Sequence, residues 1–117
     1  MCQQIILWLD DERDPKKFRK ISSNSWRYNE KVIWCHSVNE AIDVWLDLDG
    51  VNDCRIVEVD LDHDAGEFAT DGGDYIKFLD WLEEHKIDFT KIAWKIHSFN
   101  PVGIKNMLAI LHRNGVI

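Results

Sequence analysis

Three clusters of acidic and histidine side chains each follow an apolar run in this 117-residue chain. Ile5-Ile6-Leu7-Trp8-Leu9 leads into Asp10-Asp11-Glu12-Arg13, Ile56 to Leu61 into Asp62-His63-Asp64, and Ile92 to Ile96 into His97-Ser98-Phe99-Asn100-Pro101. Carboxylates gathered at one point repel one another unless a cation sits among them. Hard oxygen ligands of this kind suit Mg²⁺ or Mn²⁺ rather than zinc. Asp10, Asp11 and Asp62 are the expected ligands, with Asp64 as a fourth or outer one. The competing reading is that these acids cap helices or solvate strand ends. His63 and His97 are the expected acid and base, since imidazole exchanges a proton near neutral pH. A lone histidine at a strand end is more often structural; two at neighbouring strand ends are what point to catalysis.

Ser98, Asn100 and the amides of Val102 and Gly103 stand where a helix should begin. Helix N-termini carry unpaired N–H groups and a positive dipole end, which suits a phosphate. Gly103 would let that anion approach the backbone. Arg13 and Lys105 are candidates to add positive charge, although Asn100-Pro101 is also a plain helix start.

For the clusters to meet, the apolar runs must be neighbouring parallel strands. Ligands of open parallel α/β sheets bind beyond the carboxyl ends of the strands, where the strand order reverses. Residues 4–10, 31–36, 55–62 and 92–97 read as short buried strands. Ser37-Val38-Asn39-Glu40 is a capping box opening a helix with Val38, Ile42, Trp45 and Leu46 on one face, closed by Gly50. Asp74 to His85 gives a second helix, with Tyr75, Leu79 and Leu82 inward and Ile76 beside them. A last helix from Pro101 carries Ile104, Met107, Leu108 and Leu111 and closes at Gly115. Residues 14–30 are polar and hold one or two helical turns at most, near Lys16 to Lys20. Ala65 to Gly73 is a loop.

Strands alternating with helices require parallel pairing through right-handed crossovers. The expected fold class is therefore α/β: a single domain over 1–117, a small doubly wound sandwich of about four parallel strands in order 2-1-3-4. Glu58, Asp60 and Asp62 share one face of the third strand, where a parallel sheet should be apolar on both sides. That face is expected to be partly wet.

Composition narrows the partners. A net charge of −7 disfavours broad DNA or RNA backbone binding, which needs clustered Lys and Arg. No apolar stretch approaches the ~20 residues that span a membrane, and Met1-Cys2-Gln3-Gln4 does not look like a signal peptide. A cytoplasmic protein is expected. Cys2, Cys35 and Cys54 form no C-x-x-C pair and read as reduced thiols. Of the six tryptophans, Trp8, Trp34, Trp45 and Trp94 fall in expected core elements. Only Trp26 is a candidate for stacking on a base. Lys16-Lys17-Phe18-Arg19-Lys20 is the sole basic run and could steer an RNA end.

Asp10-Asp11, an acid ending the third strand and Ser98 ending the fourth resemble the two-component receiver domain. In that family the acidic pair and the third-strand acid, here Asp62, hold Mg²⁺, and that acid is phosphorylated. The match breaks in two ways. No fifth strand precedes Ile117, so the receiver's lysine has no counterpart, and His63, Asp64, His97, Asn100 and Pro101 are foreign to ordinary receivers. Those residues are similar instead to the receiver-like cyclic-phosphate processing domain of bacteria and phages. The motifs are Leu9-Asp10-Asp11-Glu12-Arg13, Asp62-His63-Asp64, and His97-Ser98 followed by Asn100-Pro101-Val102-Gly103 and Asn106-Met107. Ala65-Gly66 replaces the family's more usual Leu-Gly.

The resemblance implies metal-dependent opening of a cyclic phosphate on a nucleotide or RNA end, in the host cytoplasm if the chain is phage-encoded. Such opening needs an activated water and a protonated leaving oxygen. Two histidines supply both, or a metal replaces one by acidifying its water. The alternative is an inactive receiver-like binding module that sequesters a nucleotide or engages a host protein. Phospho-relay signalling through Asp62 is weaker, because no lysine is available to pair with a phosphoaspartate.

Overall fold

The computed structural model describes residues 3–18, 30–48, 50–51 and 53–116. The four apolar runs form β1 (Gln3–Leu9), β2 (Glu30–Cys35), β3 (Cys54–Leu61) and β4 (Ala93–Ile96). All pairings are parallel and the order is β2-β1-β3-β4, as the alternation of elements predicts. The chain moves from β1 to one neighbour, then crosses back to the other side, so the strand order reverses between β1 and β3. Their carboxyl ends therefore flank the crevice where such sheets bind ligands.

Helix α1 (Pro15–Phe18) is a single turn, followed by α2 (Val38–Leu48), α3 (Ile76–Glu84) and α4 (Pro101–Arg113). The capping box of α2 is formed. Ser37 Oγ accepts the Glu40 amide at 3.0 Å, while Glu40 Oε2 reaches back to the His36 amide at 3.1 Å. Ser37 also donates to Asp71 at 2.6 Å, which ties this helix start to the turn after β3. That turn, expected to be a plain loop, contains a 3₁₀ segment over Gly66–Thr70.

One core unites Ile5, Leu7 and Leu9 of β1 and Val59 and Leu61 of β3 with all three long helices. Their contributions are Val38, Ala41 and Trp45, then Phe78, Leu79 and Leu82, then Met107, Ile110 and Leu111. Two helical residues expected to face inward do not. Leu46 is 57% exposed, because Trp45 already fills the stripe that α2 turns to the sheet. Leu108 is 38% exposed and lines an open groove with Ile104 of α4 and Trp94 and Ile96 of β4. Cys35 is buried, which pushes its thiol up to about 12, and Cys54 is half-buried. Trp26, the Ser22–Ser25 patch, the end of the basic run and Cys2 lie outside the described residues.

The alternate side chains of the central strands, Ile6, Trp8, Glu58 and Asp60, belong to the opposite face and are also buried. The two acids that resist an apolar sheet are matched by bases on the neighbouring strand side. Lys95 Nζ lies 3.3 Å from Glu58 Oε1, and His97 Nδ1 lies 2.6 Å from Asp60 Oδ1. A charged side chain stays in a sheet interior only when paired. The expected wet face is instead a buried, charge-compensated one at these positions.

Candidate functional site

The rim at the carboxyl ends of β1, β3 and β4 gathers all three clusters. Asp10 is 1% exposed. Its Oδ1 accepts the amides of Glu12 and Arg13 at 2.9 and 2.8 Å, so the chain turns tightly out of β1 around its own carboxylate. Its Oδ2 accepts from His97 Nε2 at 2.8 Å. Burial pushes the Asp10 carboxyl up, but these hydrogen bonds outweigh it and hold the group below the ordinary range.

Asp11 and Asp62 complete a triad with Asp10. One ligand oxygen from each lies within 4.8 Å of the others. Burial raises Asp11 above its ordinary value, and the charges of Asp10, Glu12 and Asp62 add to that. Like charges held together in this way are what a cation relieves. Gly66 makes room for the cluster, since a Cβ there would overlap Asp11 Oδ2, and its φ of +56° suits glycine. Asp62 Oδ1 accepts the His63 amide at 2.7 Å. Arg13 Nη1 stands 3.9 Å from both Asp10 and Asp62 and donates to the His97 carbonyl at 3.0 Å. An all-carboxylate triad, with Arg13 beside it, has the hard-oxygen chemistry that suits Mg²⁺ or Mn²⁺.

Asp64 is not in this triad. It pairs through Oδ1 with His63 Nδ1 at 2.7 Å, and the two form a second potential ligand group with Asp74. Asp74 Oδ1 accepts the Ala65 amide at 3.0 Å, so it also holds the turn after β3.

The two histidines are held differently. His97 offers both ring nitrogens to carboxylates, Nδ1 to Asp60 and Nε2 to Asp10, and stacks on Trp8 at 4.0 Å and 7°. Burial alone would lower its pKa. The hydrogen bonds and charges of Asp10 and Asp60 overcome this and push it up to about 9, so it is an imidazolium at neutral pH. His63 engages Asp64 through Nδ1 only, and its ring packs against the bare Cα of Gly103, where a Cβ would collide with it.

At the start of α4, Ser98 Oγ accepts the Asn100 amide at 3.1 Å and Asn100 Oδ1 accepts the Gly103 amide at 3.0 Å. The Gly103 amide expected to meet a phosphate is thus engaged by the helix cap. The missing side chain of Gly103 serves His63. Asn100 Nδ2 leans towards His63 and Asp64, at 3.4 Å from each. Lys105 is exposed on α4. Asp60 is the site residue that sequence reasoning missed. Its signal was present as an acid inside an apolar strand, two residues before Asp62.

A parallel four-stranded sheet with an acidic triad beyond β1 and β3 is the architecture of a receiver-like domain. The family model of the cyclic-phosphate processing receiver domain matches residues 5–113, and the chain belongs to that family. No curated protein and no solved structure is significantly similar to it. Among the described residues, no helix is long and apolar enough to cross a membrane.

Proposed function

We infer that the protein is a divalent-metal-dependent phosphoesterase that opens a cyclic phosphate on a nucleotide or RNA end. The observation that carries this reading is the convergence of Asp10, Asp11 and Asp62 on one point, with His63, backed by Asp64, following Asp62 directly in the chain. Asp10, Asp11 and Asp62 would hold Mg²⁺ or Mn²⁺. When bound, such an ion supplies charge neutralisation for a phosphoryl group and acidifies a coordinated water.

The chain's own residues supply the rest. Hydrolysis adds water across one ring P–O bond: hydroxyl joins phosphorus and a proton joins the departing oxygen. His63 is the group we assign to moving that proton. Asp64 holds Nδ1, which fixes the ring orientation and directs Nε2 as the exchanging nitrogen, the logic of a carboxylate-oriented histidine base. His97 has no ring nitrogen left over from Asp10 and Asp60. Its role is to fix Asp10 and bring one positive charge to a strongly acidic rim. Arg13 adds a second. Ser98 and Asn100, and Gly103 by admitting the His63 ring, form the side of the site assigned to the phosphoryl oxygens. A cyclic phosphate is a monoanion, and its approach to the three carboxylates of the triad is opposed by like charge that these cations and a metal would offset.

The test is incubation with 2′,3′-cyclic, 3′,5′-cyclic and cyclic-oligonucleotide phosphates, with Mg²⁺ or Mn²⁺ and with chelator. Metal-dependent release of a phosphomonoester supports the enzyme. Nucleotide binding without turnover would make the protein a sequestering module instead.

A further inference from the structure

Phe99 lies in the turn between β4 and α4 and is 89% exposed. Its neighbours Ser98 and Asn100 are pinned by their mutual 3.1 Å hydrogen bond and by the Gly103 cap. Burying a phenylalanine stabilises a fold, so a Phe displayed in a pinned turn forgoes that gain. The side chain is nonetheless not isolated. The Arg13 guanidinium carbon stands 4.8 Å from its ring centroid, within cation–π range, while Nη1 of the same group faces Asp10 and Asp62. One guanidinium thus connects an open aromatic ring to the acidic triad. Two further exposed apolar side chains border the same rim: Val102 on the first turn of α4, at 68%, and Phe18 of α1, at 58%, whose ring centroid is 6.0 Å from Arg13.

We propose that Phe99, backed by Arg13, is a stacking platform for the nucleobase of the nucleotide whose cyclic phosphate occupies the acidic rim. This rests on the phosphoesterase reading for the phosphate end and adds the element that selects a nucleotide over other cyclic phosphates. A planar base a sugar's width from the phosphate meets an aromatic face at the edge of the phosphate site. Aromatic stacking accepts any base, because every base has a π-face. The platform therefore selects for the presence of a base rather than for its identity.

The experiment measures dissociation constants, with Mn²⁺ present, for a nucleoside 2′,3′-cyclic phosphate, an RNA dinucleotide ending in the same group, and base-free glycerol 1,2-cyclic phosphate. Wild type, Phe99→Ala and Phe99→Trp are compared, and phosphomonoester release is recorded in parallel. Wild type is expected to bind one or both base-containing ligands about ten- to a hundredfold more tightly than the glycerol ester. Phe99→Ala should remove that preference and leave glycerol-ester affinity unchanged, and Phe99→Trp should keep it. Which base-containing ligand shows the gain identifies a free nucleotide or an RNA end as its source. Equal affinity for all three ligands, or a preference that survives Phe99→Ala, overturns the platform whether or not turnover occurs. A Phe99-dependent preference without turnover would uphold the platform and reject the phosphoesterase.

Discussion

His97, the first residue past β4, and Asp60 within β3 form a 2.6 Å ion pair, and through its other nitrogen the same ring reaches Asp10 at 2.8 Å. A carboxylate inside the sheet therefore controls the ring that orients a carboxylate at the rim. Asp60→Asn keeps the shape and removes the charge. The His97 pKa, followed by NMR titration of its ring protons, is expected to fall from about 9 towards 6.5. Mn²⁺ affinity should weaken on the order of tenfold, the usual cost of losing an outer partner of a metal ligand. An unchanged His97 titration in the variant would remove Asp60 from this role.

The same pair predicts how metal-free stability varies with pH. His97 titrates at 6.5 when unperturbed and at about 9 when folded. A raised folded pKa means that the folded state holds the proton more tightly. Its contribution is thus complete below pH 6.5 and lost as pH rises through 9. Thermal melting of the metal-free protein should show a fall over that window, and His97→Gln should show a smaller one. Parallel curves for the two proteins would contradict the assignment.

Two glycines are expected to matter through the space they leave. In Gly66→Ala, the new methyl group meets Asp11 Oδ2 on a backbone with positive φ, so metal affinity should drop. In Gly103→Ala, the methyl group meets the His63 ring, so turnover should drop while metal affinity holds. Overpacking of this kind costs about 1–3 kcal/mol. Calorimetric Mn²⁺ titration and steady-state rates on both variants check the split. The same defect in both would mean that the metal and proton-transfer halves of the site are not separable.

Mg²⁺ or Mn²⁺ should stabilise the fold, since a ligand that binds only the folded state adds about 2.7 kcal/mol at a hundred times its dissociation constant. Asp62→Asn should abolish the melting shift. Burial and neighbouring carboxylates raise the Asp11 pKa, so metal affinity should weaken on acidification earlier than an ordinary aspartate would require. Equal melting shifts for wild type and Asp62→Asn would place the metal elsewhere.

The sheet, its order and the rim were legible because three of the four strands are apolar runs ended by an abrupt acidic or histidine cluster, and one helix follows each of the last three strands. Asp10, Asp11 and Asp62 could be read from that punctuation. Asp60 could not be assigned a role, because its partner His97 arrives from another strand 37 residues later. Gly103 was expected to serve a phosphate, yet sequence does not reveal which neighbour fills the space beside a glycine, and here it is His63. Leu46 and Leu108 show the same limit for helices. Periodicity marks an apolar stripe, but the width of the surface it packs against decides which residues at its edge are covered.

The central claim is a metal-assisted opening of a cyclic phosphate in which His63 moves the proton. The most direct measurement is ³¹P NMR of a nucleoside 2′,3′-cyclic phosphate with diamagnetic Mg²⁺ and either wild type or His63→Ala. The account predicts conversion to a phosphomonoester by the wild type, about a hundredfold or more slower with His63→Ala, and none in chelator. Equal rates for the two proteins, or no conversion by the wild type with metal bound, would contradict it.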